Sequence, residues 1–495
     1  MILSRNAQRL LRLNPRILSS TSMTSTASQT ATASFSTTTS AAAKSSFLIP
    51  PESPRQVVIV SGVRLPFAQS STIYEDEMTV DLQRLAITGL LNKHPQLLQK
   101  SGGKTTSEID YVIAGNVIQE VTTSNIAREA AINAGLPYNI GAHTIAQACI
   151  SANAAIVTGA QQIMTGQADV VLAGGVESFS DLPIRLSRPF RQKLIGMNKA
   201  LKKKKGTHPA IASLQHFFGG KDGLKSKDLF GLETPAIANY TTGEVMGVSS
   251  DKLSAKFGVS RQEQDEFTVR SHTNAAKAHQ DGFYKDEIVP YNGSTEENGI
   301  KGESTVESVS KLKPAFVKPH GTHTAANSSF LTDGAAMSLL MSEEKALEMG
   351  FKPWAYVRDW SFHACDPWEE LLLGPTYCTH DILKRNPSLS INDIGVLEIH
   401  EAFAGQVLSN LVAMDSDQFA QDQLGGAQKV GALDMSKMNT KGGSLSIGHP
   451  FGATGSRLLT TASRRLQQEG EQFALMAACA DGGLGHACLI ERYDK

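Results

Sequence analysis

The sequence has few cysteines, no excess of either charge and no long apolar run. Five cysteines among 495 residues are too few for a disulfide framework, so we expect reduced thiols. Lys and Arg number 47 and Asp and Glu 48, and this balance argues against a protein built to bind nucleic acid. No stretch reaches the roughly 18 consecutive apolar residues that predict a transmembrane helix. A hydrophobic share of 41% nevertheless indicates a folded chain, with room for several domains of about 150 residues each.

Metal and phosphate motifs are also missing. The chain contains no C-x-x-C pair and no H-E-x-x-H, which removes the usual zinc ligand patterns, and we predict no metal site. Lys104 and Thr105 resemble the end of a P-loop, but Leu98 stands where that loop requires glycine. The GLG at 483–485 lacks the third glycine of a dinucleotide fingerprint, because Cys488 occupies that position.

Acidic residues are absent from the start of the chain, where none occurs before Glu52. Residues 1–50 carry five basic side chains, apolar residues between the arginines, and a Ser/Thr/Ala tract at 19–46. This composition is typical of a mitochondrial transit peptide, with a disordered tail as the alternative. The remaining residues then hold 42 basic and 48 acidic side chains, a net charge of −6 compared with −1 for the whole chain.

Strand-like and helix-like segments alternate from Arg55 onward. This alternation predicts an α/β fold with helices on both faces of its sheet. Segments 473–479 and 486–490 flank a glycine-containing turn and predict a hairpin. The alternation weakens between 178 and 309, which we interpret as an insertion. The other apolar runs typical of strands lie at 57–60, 111–113, 168–173 and 396–399.

Cys149 lies between a strand-like segment and a helix that begins with small residues. A thiol at a helix N-terminus experiences a partial positive charge, which lowers its pKa and favours the nucleophilic thiolate. A buried structural cysteine is the alternative interpretation.

A glycine-rich segment, GGSLSIGHPFGATG at 442–455, surrounds His449. Glycine lets the backbone approach a ligand, and Pro450 stiffens the turn. Held this way, His449 could orient and deprotonate a cysteine. The pattern also suits an anion site at a helix N-terminus or a turn histidine bonded to the backbone. HEAFA at His400 and CADGGLG at Cys479 also follow strands, so the clusters could meet at one edge of a sheet.

The four clusters together resemble the signatures of the thiolases, and the match runs from about Arg55 to the C-terminus. The resemblance implies a five-layered αβαβα thiolase fold made of two similar halves with an inserted loop domain. The N-terminal half is expected at 55–177 and 310–345, the loop domain at 178–309 and the C-terminal half at 346–495. The motifs that carry the resemblance are QACISANAA around Cys149, HEAFA, GGSLSIGHPFGATG and CADGGLG.

The resemblance also implies the chemistry of a 3-ketoacyl-CoA thiolase. Cys149 is expected to be the nucleophile that forms an acyl thioester, His449 to activate it, and Cys479 to act as general acid and base. His449 and a water held by His400 are implied to form one oxyanion hole, because cleavage develops negative charge on carbonyl oxygens.

Two further site residues follow from the resemblance. The backbone N–H groups of Cys149 and Asp481 are implied to form a second oxyanion hole, although relatives usually carry a small residue where this chain has Asp481. A carboxylate beside a thiolate is unfavourable unless it is paired or points away. Ser329, in AANSSF, is implied to contact the pantetheine arm of coenzyme A, which is a co-substrate. No permanently bound cofactor is implied.

Within the family, HEAFA, RDW and LLLGPTY most resemble the thiolase subunits of mitochondrial β-oxidation complexes. This implies a matrix location, medium- or long-chain 3-oxoacyl-CoA substrates, and a homodimeric core joined to a hydratase/dehydrogenase α-subunit. No nucleic-acid partner is implied. Leu194, Met197 and Leu201 lie on one face of a basic segment, which predicts an amphipathic helix suited to an anionic membrane surface, and the resemblance implies that this surface is the inner membrane. A solvated charged face is the alternative.

Three other functions share parts of this pattern. A biosynthetic acetoacetyl-CoA thiolase has the same clusters and differs in acyl chain length. A ketosynthase uses one cysteine and two histidines, but its HGTGT-type loop is absent here. A catalytically silent anchoring subunit would not require the intact Cys149, His449 and Cys479.

Overall fold

The computed structural model describes residues 47–203, 208–219, 224–229, 231–235, 237–426 and 428–495. Residues 1–46 of the predicted import segment, and Lys204 and Lys205 of the basic segment, lie outside the described residues. The strands are β1 Val57–Arg64, β2 Ala68–Gln69, β3 Leu98–Ser101, β4 Lys104–Ser107, β5 Tyr111–Gly115, β6 Gly141–Ile145, β7 Val170–Glu177, β8 Arg185–Leu186, β9 Leu232–Glu233, β10 Thr332–Ser342, β11 Ala355–Ala364, β12 Val396–Ile399, β13 Phe473–Ala480 and β14 Leu484–Arg492.

Helices alternate with the strands in each half of the chain, as the sequence predicts. They are α1 Thr79–Lys93, α2 Ile126–Asn133, α3 Ser151–Met164, α4 Arg188–Lys203, α5 Pro209–Phe218, α6 Ser226–Leu229, α7 Met246–Lys256, α8 Arg261–Gln280, α9 Val306–Ser310, α10 Glu343–Glu348, α11 Gly374–Arg385, α12 Ala404–Met414, α13 Asp417–Gln423, α14 Ser444–Ile447 and α15 Thr454–Glu469.

Nine of the strands form two mixed sheets of similar pattern that are continuous through one short pairing; β2 pairs with β10, and β3–β4 and β8–β9 are separate two-stranded sheets. In the first, β6, β5 and β7 are parallel neighbours, and β10 and β1 follow in antiparallel pairing. In the second, β12 and β13 are parallel, and β14 and β11 follow in antiparallel pairing. A short pairing of β1 with β11 joins the two sheets. The predicted hairpin is confirmed as β13 and β14.

Helices cover the sheets in five layers. Helices α1 and α2 pack on the outer face of the first sheet, and α11 packs on the outer face of the second. Helices α3 and α15 pack against each other, and α15 contacts strands of both sheets, so this pair forms the middle layer. Adjacent residues of one strand point to different cores: Leu339 packs with the outer helices and Leu340 with the middle layer. The five-layered αβαβα arrangement predicted from the sequence is therefore present.

The segment at 178–309 contains more regular structure than its sequence suggested. Helix α8 is 20 residues long and begins with a capping box between Ser260 and Glu263. Its Phe267 and Ala275 are buried against the C-terminal half and against the turn region near Phe283. The same segment leaves several large apolar side chains exposed on α4 and α5. No helix among the described residues is long and apolar enough to cross a membrane.

Candidate active site

The predicted site segments meet at one cavity of about 420 Å³. Cys149, His449, Cys479, Asp481 and Ser329 all line it. The chain thus brings together residues from both halves, at the ends of strands and the beginnings of helices. The rest of the wall is largely apolar and includes Ile237, Met246, Phe316, Phe330, Leu372 and Phe403.

Cys149 lies on a tight elbow between β6 and α3. Ala148, before it, has a φ of 45°, in the left-handed region that a non-glycine residue adopts at a cost of about 1 kcal/mol or more. The Ser151 hydroxyl holds this elbow closed: it accepts from the Gln147 N–H over 2.8 Å and donates to the Ala148 carbonyl over 2.7 Å. The elbow therefore fixes the direction in which the thiol faces the cavity.

Burial controls the ionisation of Cys149. The pKa of the thiol is raised to about 12: burial is the largest cause, a hydrogen bond from the Asp481 backbone N–H to the sulfur opposes it, and the Asp481 and Glu177 carboxylates add smaller increases. The direction is opposite to the one predicted from the helix N-terminus alone. Resting Cys149 is therefore a neutral thiol that needs a base to take its proton when it attacks.

His449 carries a ring nitrogen suited to that task. Its Nδ1 lies 2.7 Å from Oγ1 of Thr454, whose hydroxyl donates to the Pro450 carbonyl over 3.0 Å. Because the hydroxyl has one hydrogen, the His449 Nδ1–H donates to it and Nε2 keeps its lone pair. Nε2 has no hydrogen-bond partner among the described residues. Burial, and then the neighbouring His400 and Arg457, holds the pKa of His449 well below its usual value, so the ring is neutral.

His400 lies beside His449 and carries its proton on the other ring nitrogen. The two rings have centroids 4.1 Å apart. His400 Nδ1 lies 3.1 Å from Ser444 Oγ, which also accepts from Arg457 Nη2 over 3.3 Å. Ser444 then has its own hydrogen to donate to Nδ1, which leaves the His400 proton on Nε2. Burial, and then Arg457, lowers the pKa of His400 to about 3, so this ring is also neutral.

Cys479 lies next to the last residue of β13 and is only 1% exposed. Burial, and then the neighbouring Cys149, raises its pKa well above the usual value. Cys479 therefore keeps its proton at neutral pH and faces the same cavity as the first thiol. This pair of protonated thiols is the feature that separates the site from one with a single nucleophilic cysteine.

Asp481 follows on the turn between β13 and β14. Its carboxylate accepts a hydrogen bond from Asn239 Nδ2 over 2.7 Å and from the Gly482 N–H over 2.7 Å. The carboxylate that the sequence marks as unfavourable is therefore paired. Asn239, which belongs to the inserted segment, carries no local sequence signal that would have identified it.

Glu177, at the end of β7, is a second residue that sequence analysis missed. It is fully buried, and its two oxygens accept from the backbone N–H groups of Val117, Ile118 and Gly452 at 2.9–3.2 Å. Burial raises its pKa to about 7. A side chain at Gly452 would lie 2.3 Å from the Val176 carbonyl, so only glycine permits this contact. Glu177 thus ties the first sheet to the segment that carries the histidine base.

Ser329 also lies in the cavity wall. Ser329 donates its backbone N–H to the Ala402 carbonyl over 2.9 Å, which joins the AANSSF segment to HEAFA at the cavity. Among the described ranges, no group of three His, Cys, Asp or Glu side chains is arranged to hold a metal ion.

Comparison with known proteins matches both halves of the chain to one family. Residues 57–344 match the thiolase N-terminal domain and residues 351–492 the thiolase C-terminal domain. The chain is 50% identical over 446 residues to the human protein named trifunctional enzyme subunit beta, mitochondrial, and this covers 89% of each chain. It is 49% identical to a probable 3-ketoacyl-CoA thiolase of Caenorhabditis elegans, over 89% of this chain and 94% of the relative.

Solved structures agree with the sequence matches. The crystal structure of human mitochondrial 3-ketoacyl-CoA thiolase in complex with CoA superposes with a TM-score of 0.70 at 27% identity, over 89% of this chain and 98% of that one. An acetyl-CoA acetyltransferase of Bacillus anthracis gives a TM-score of 0.70 at 29% identity, over 89% of this chain and 99% of that one. The chain therefore belongs to the thiolase family.

Proposed function

We propose that this chain is a 3-ketoacyl-CoA thiolase, which uses coenzyme A to cleave a 3-oxoacyl-CoA into acetyl-CoA and an acyl-CoA shortened by two carbons. One observation carries the proposal: the two thiols, Cys149 and Cys479, share an apolar cavity with the unprotonated Nε2 of His449. The names of the human and C. elegans relatives support it.

In the first half-reaction, Cys149 Sγ attacks the C3 carbonyl carbon and its proton passes to His449 Nε2. Collapse of the tetrahedral adduct breaks the C2–C3 bond, and the electron pair remains on C2 of the departing acetyl-CoA. The Cys479 S–H donates its proton to that carbon, which leaves an acyl thioester on Cys149 and a thiolate on Cys479.

In the second half-reaction, the Cys479 thiolate takes the proton of free coenzyme A. The coenzyme A thiolate attacks the acyl carbon, the Cys149 sulfur leaves, and it recovers its proton from His449. Both thiols and the histidine return to their starting protonation states, so the cycle consumes only substrate and coenzyme A.

Charge on the carbonyl oxygens requires fixed donors in both steps. His449 becomes such a donor once it has accepted the Cys149 proton, and the Nε2–H of His400 acts beside it through a water. The backbone N–H groups of Cys149 and Asp481 serve the other oxygen. The hydrogen bond from the Asp481 N–H to the Cys149 sulfur supports this assignment, because it aims that donor at the reacting atom.

The inserted segment and the apolar wall of the cavity bind the two parts of the substrate, its coenzyme A moiety and its acyl chain. Ser329 contacts the pantetheine arm, and basic side chains of the segment at 178–309 meet the phosphates of coenzyme A. Side chains such as Ile237, Met246 and Phe316 accept an aliphatic acyl chain, which favours medium- or long-chain substrates over acetoacetyl-CoA.

Location and assembly follow from the same relatives. We propose that the protein acts in the mitochondrial matrix, in a hetero-oligomer with a hydratase/dehydrogenase α-subunit. The name of the human relative, trifunctional enzyme subunit beta, mitochondrial, supports a mitochondrial location and an enzyme of several subunits. A homodimeric thiolase core is consistent with β6, the edge strand of the first sheet: its residues are partly buried, and within the part of the chain that the structure describes it pairs with β5 alone.

The proposed activity predicts thiolysis that depends on acyl length. We expect the protein purified under native conditions to cleave 3-oxoacyl-CoA substrates of medium and long chains with a higher kcat/KM than acetoacetyl-CoA. A preference for acetoacetyl-CoA would instead identify a biosynthetic thiolase, and absence of thiolysis with all chain lengths would identify a silent subunit. Mass spectrometry of co-purifying chains tests the α-subunit in the same preparation.

We also propose that α4 and α5 contact an anionic inner-membrane surface. Arg188, Lys199 and Lys202 are exposed on α4, and Ile195 of the same helix is 80% exposed. Leu214 and Phe218 of α5 are 59% and 50% exposed. Basic and apolar side chains exposed together are typical of helices that bind membrane surfaces.

Replacing Arg188, Lys199 and Lys202 by glutamine should weaken binding to cardiolipin-containing vesicles by about 100-fold, since each basic residue near such a surface contributes about 1 kcal/mol. Vesicle co-sedimentation measures the effect. The control replaces Lys285, Lys352 and Lys384, which are exposed elsewhere, and changes net charge equally. Equal losses in the two triple variants, or unchanged binding in the first, would contradict contact through α4.

A further inference from the structure

The Asp481 carboxylate is held by a side chain from a distant part of the chain. Asn239 Nδ2 donates to Asp481 Oδ1 over 2.7 Å, and the two residues are 242 positions apart. Asn239 is only 5% exposed, so water does not compete freely for this bond. The contact joins the inserted segment to the turn that follows Cys479.

The Asn239 side chain has little freedom to turn away. Its Oδ1 accepts from the backbone N–H groups of Thr241 and Thr242 at 3.0 and 2.9 Å. The Gly243 N–H donates to the Asn239 carbonyl over 2.9 Å. Because the amide oxygen is fixed by two donors, the amide N–H₂ must face Asp481, where a carboxylate needs a donor.

Asp481 has two opposing effects on Cys149. Its backbone N–H donates to the Cys149 sulfur and favours the thiolate, whereas its carboxylate charge disfavours it. The other titratable groups that face Cys149 are Glu177, whose charge acts in the same direction as that of Asp481, and the neutral Cys479 and His449. The N–H effect is the larger of the two, and the side on which the carboxylate is held sets how strongly its charge opposes that effect.

We propose that Asn239 is a positioning residue for the reacting thiol: it holds the Asp481 carboxylate on the side of the inserted segment and keeps the Asp481 N–H directed at Cys149. The inference rests on the proposed role of Cys149 as nucleophile. It also gives the inserted segment a function in the chemistry, because Ile237 and Val245, which flank Asn239, form part of the cavity wall.

Two opposite substitutions test the proposal in the full-length protein. Asn239→Asp keeps the oxygen that Thr241 and Thr242 require and replaces the donor by a second negative group facing Asp481. Asp481→Asn keeps an oxygen for Asn239 and Gly482 and removes the charge. The readout is the pH dependence of Cys149 alkylation by iodoacetamide, followed by mass spectrometry of the Cys149 peptide, with kcat and KM for thiolysis beside it.

We expect Asn239→Asp to slow alkylation at pH 8 about tenfold, which corresponds to a pKa of Cys149 raised by about one unit, and Asp481→Asn to accelerate it. The double variant, which no longer has two facing carboxylates, should return to within about threefold of the wild type. In thiolysis, kcat should fall in Asn239→Asp more than KM changes, since the coenzyme A contacts remain.

An unchanged alkylation profile in Asn239→Asp, or changes of the same sign in both single variants, would overturn the proposal. If Asn239→Asp does not fold, Asn239→Ala provides the decision, because it removes the donor without adding charge and should slow alkylation about threefold. Alkylation reports on Cys149 whether or not the protein cleaves 3-oxoacyl-CoA. Failure of the proposed function would appear as absent thiolysis with these alkylation shifts intact.

Discussion

Replacing Cys149 by alanine should lower kcat for thiolysis by about 10⁴-fold or more, because the reaction then has no atom on which to form the acyl thioester. The elbow that presents Cys149 is stabilised by Ser151 and by the backbone, not by the thiol, so the variant should fold. Loss of activity would therefore report on chemistry.

Intact-mass spectrometry after mixing with acetyl-CoA provides a second measurement. The wild-type protein should gain one acetyl group on Cys149, and the alanine variant should gain none. Cys488→Ala is the control, since it removes a fully buried thiol of β14 that does not line the cavity. The control should retain thiolysis within about threefold, as expected of a site outside the reacting centre. Thiolysis by Cys149→Ala above about 1% of the wild-type rate would contradict the nucleophile assignment.

The resting protonation states of Cys149 and His449 determine when the proton moves. Because burial raises the pKa of Cys149 and lowers that of His449, the resting pair is a neutral thiol beside a neutral base. Proton transfer therefore accompanies attack instead of preceding it.

Much of this fold could be predicted from local patterns. The strand at 396–399 was predicted with the bounds that β12 has, and the β13–β14 hairpin follows from two apolar runs separated by glycines. Such patterns are reliable here because the sheets are buried on both faces, which requires continuous apolar strands. The site segments were equally visible: three of the four clusters lie where a strand ends, and the fourth, around His449, is marked by its glycines and lies between α14 and α15.

Other features depend on residues distant in sequence and escaped local patterns. The helix N-terminus predicts a lowered pKa for Cys149, yet burial by segments from both halves reverses the direction. In the sequence, the Asp481 carboxylate is an unfavourable charge beside a reactive thiol, whereas in the structure the Asn239 side chain donates a hydrogen bond to it. Helix α8 was missed within the inserted segment, although Ser260 and Glu263 form a capping box that could have identified its first turn.

Replacing Cys479 by serine should abolish exchange of the α-protons of acetyl-CoA with solvent and lower thiolysis by about 10²–10⁴-fold, the usual contribution of a positioned acid or base. The group must hold a proton at neutral pH to protonate the acetyl-CoA carbanion, and burial beside Cys149 raises its pKa as this requires. Serine preserves the shape of the side chain, but a hydroxyl ionises far less readily than a thiol, so it cannot regenerate the base.

Incorporation of deuterium from D₂O into the methyl group of acetyl-CoA measures this exchange directly, without the first half-reaction. Cys378→Ala, which removes a buried thiol on α11 outside the cavity, should exchange within about threefold of the wild type. Alkylation of Cys149 by iodoacetamide should persist in Cys479→Ser, which separates loss of the acid/base group from collapse of the site. Exchange at the wild-type rate in Cys479→Ser would assign the proton transfer to another group. His449 would then be the candidate, because its Nε2 is the other unpartnered titratable atom that faces the cavity among the described residues.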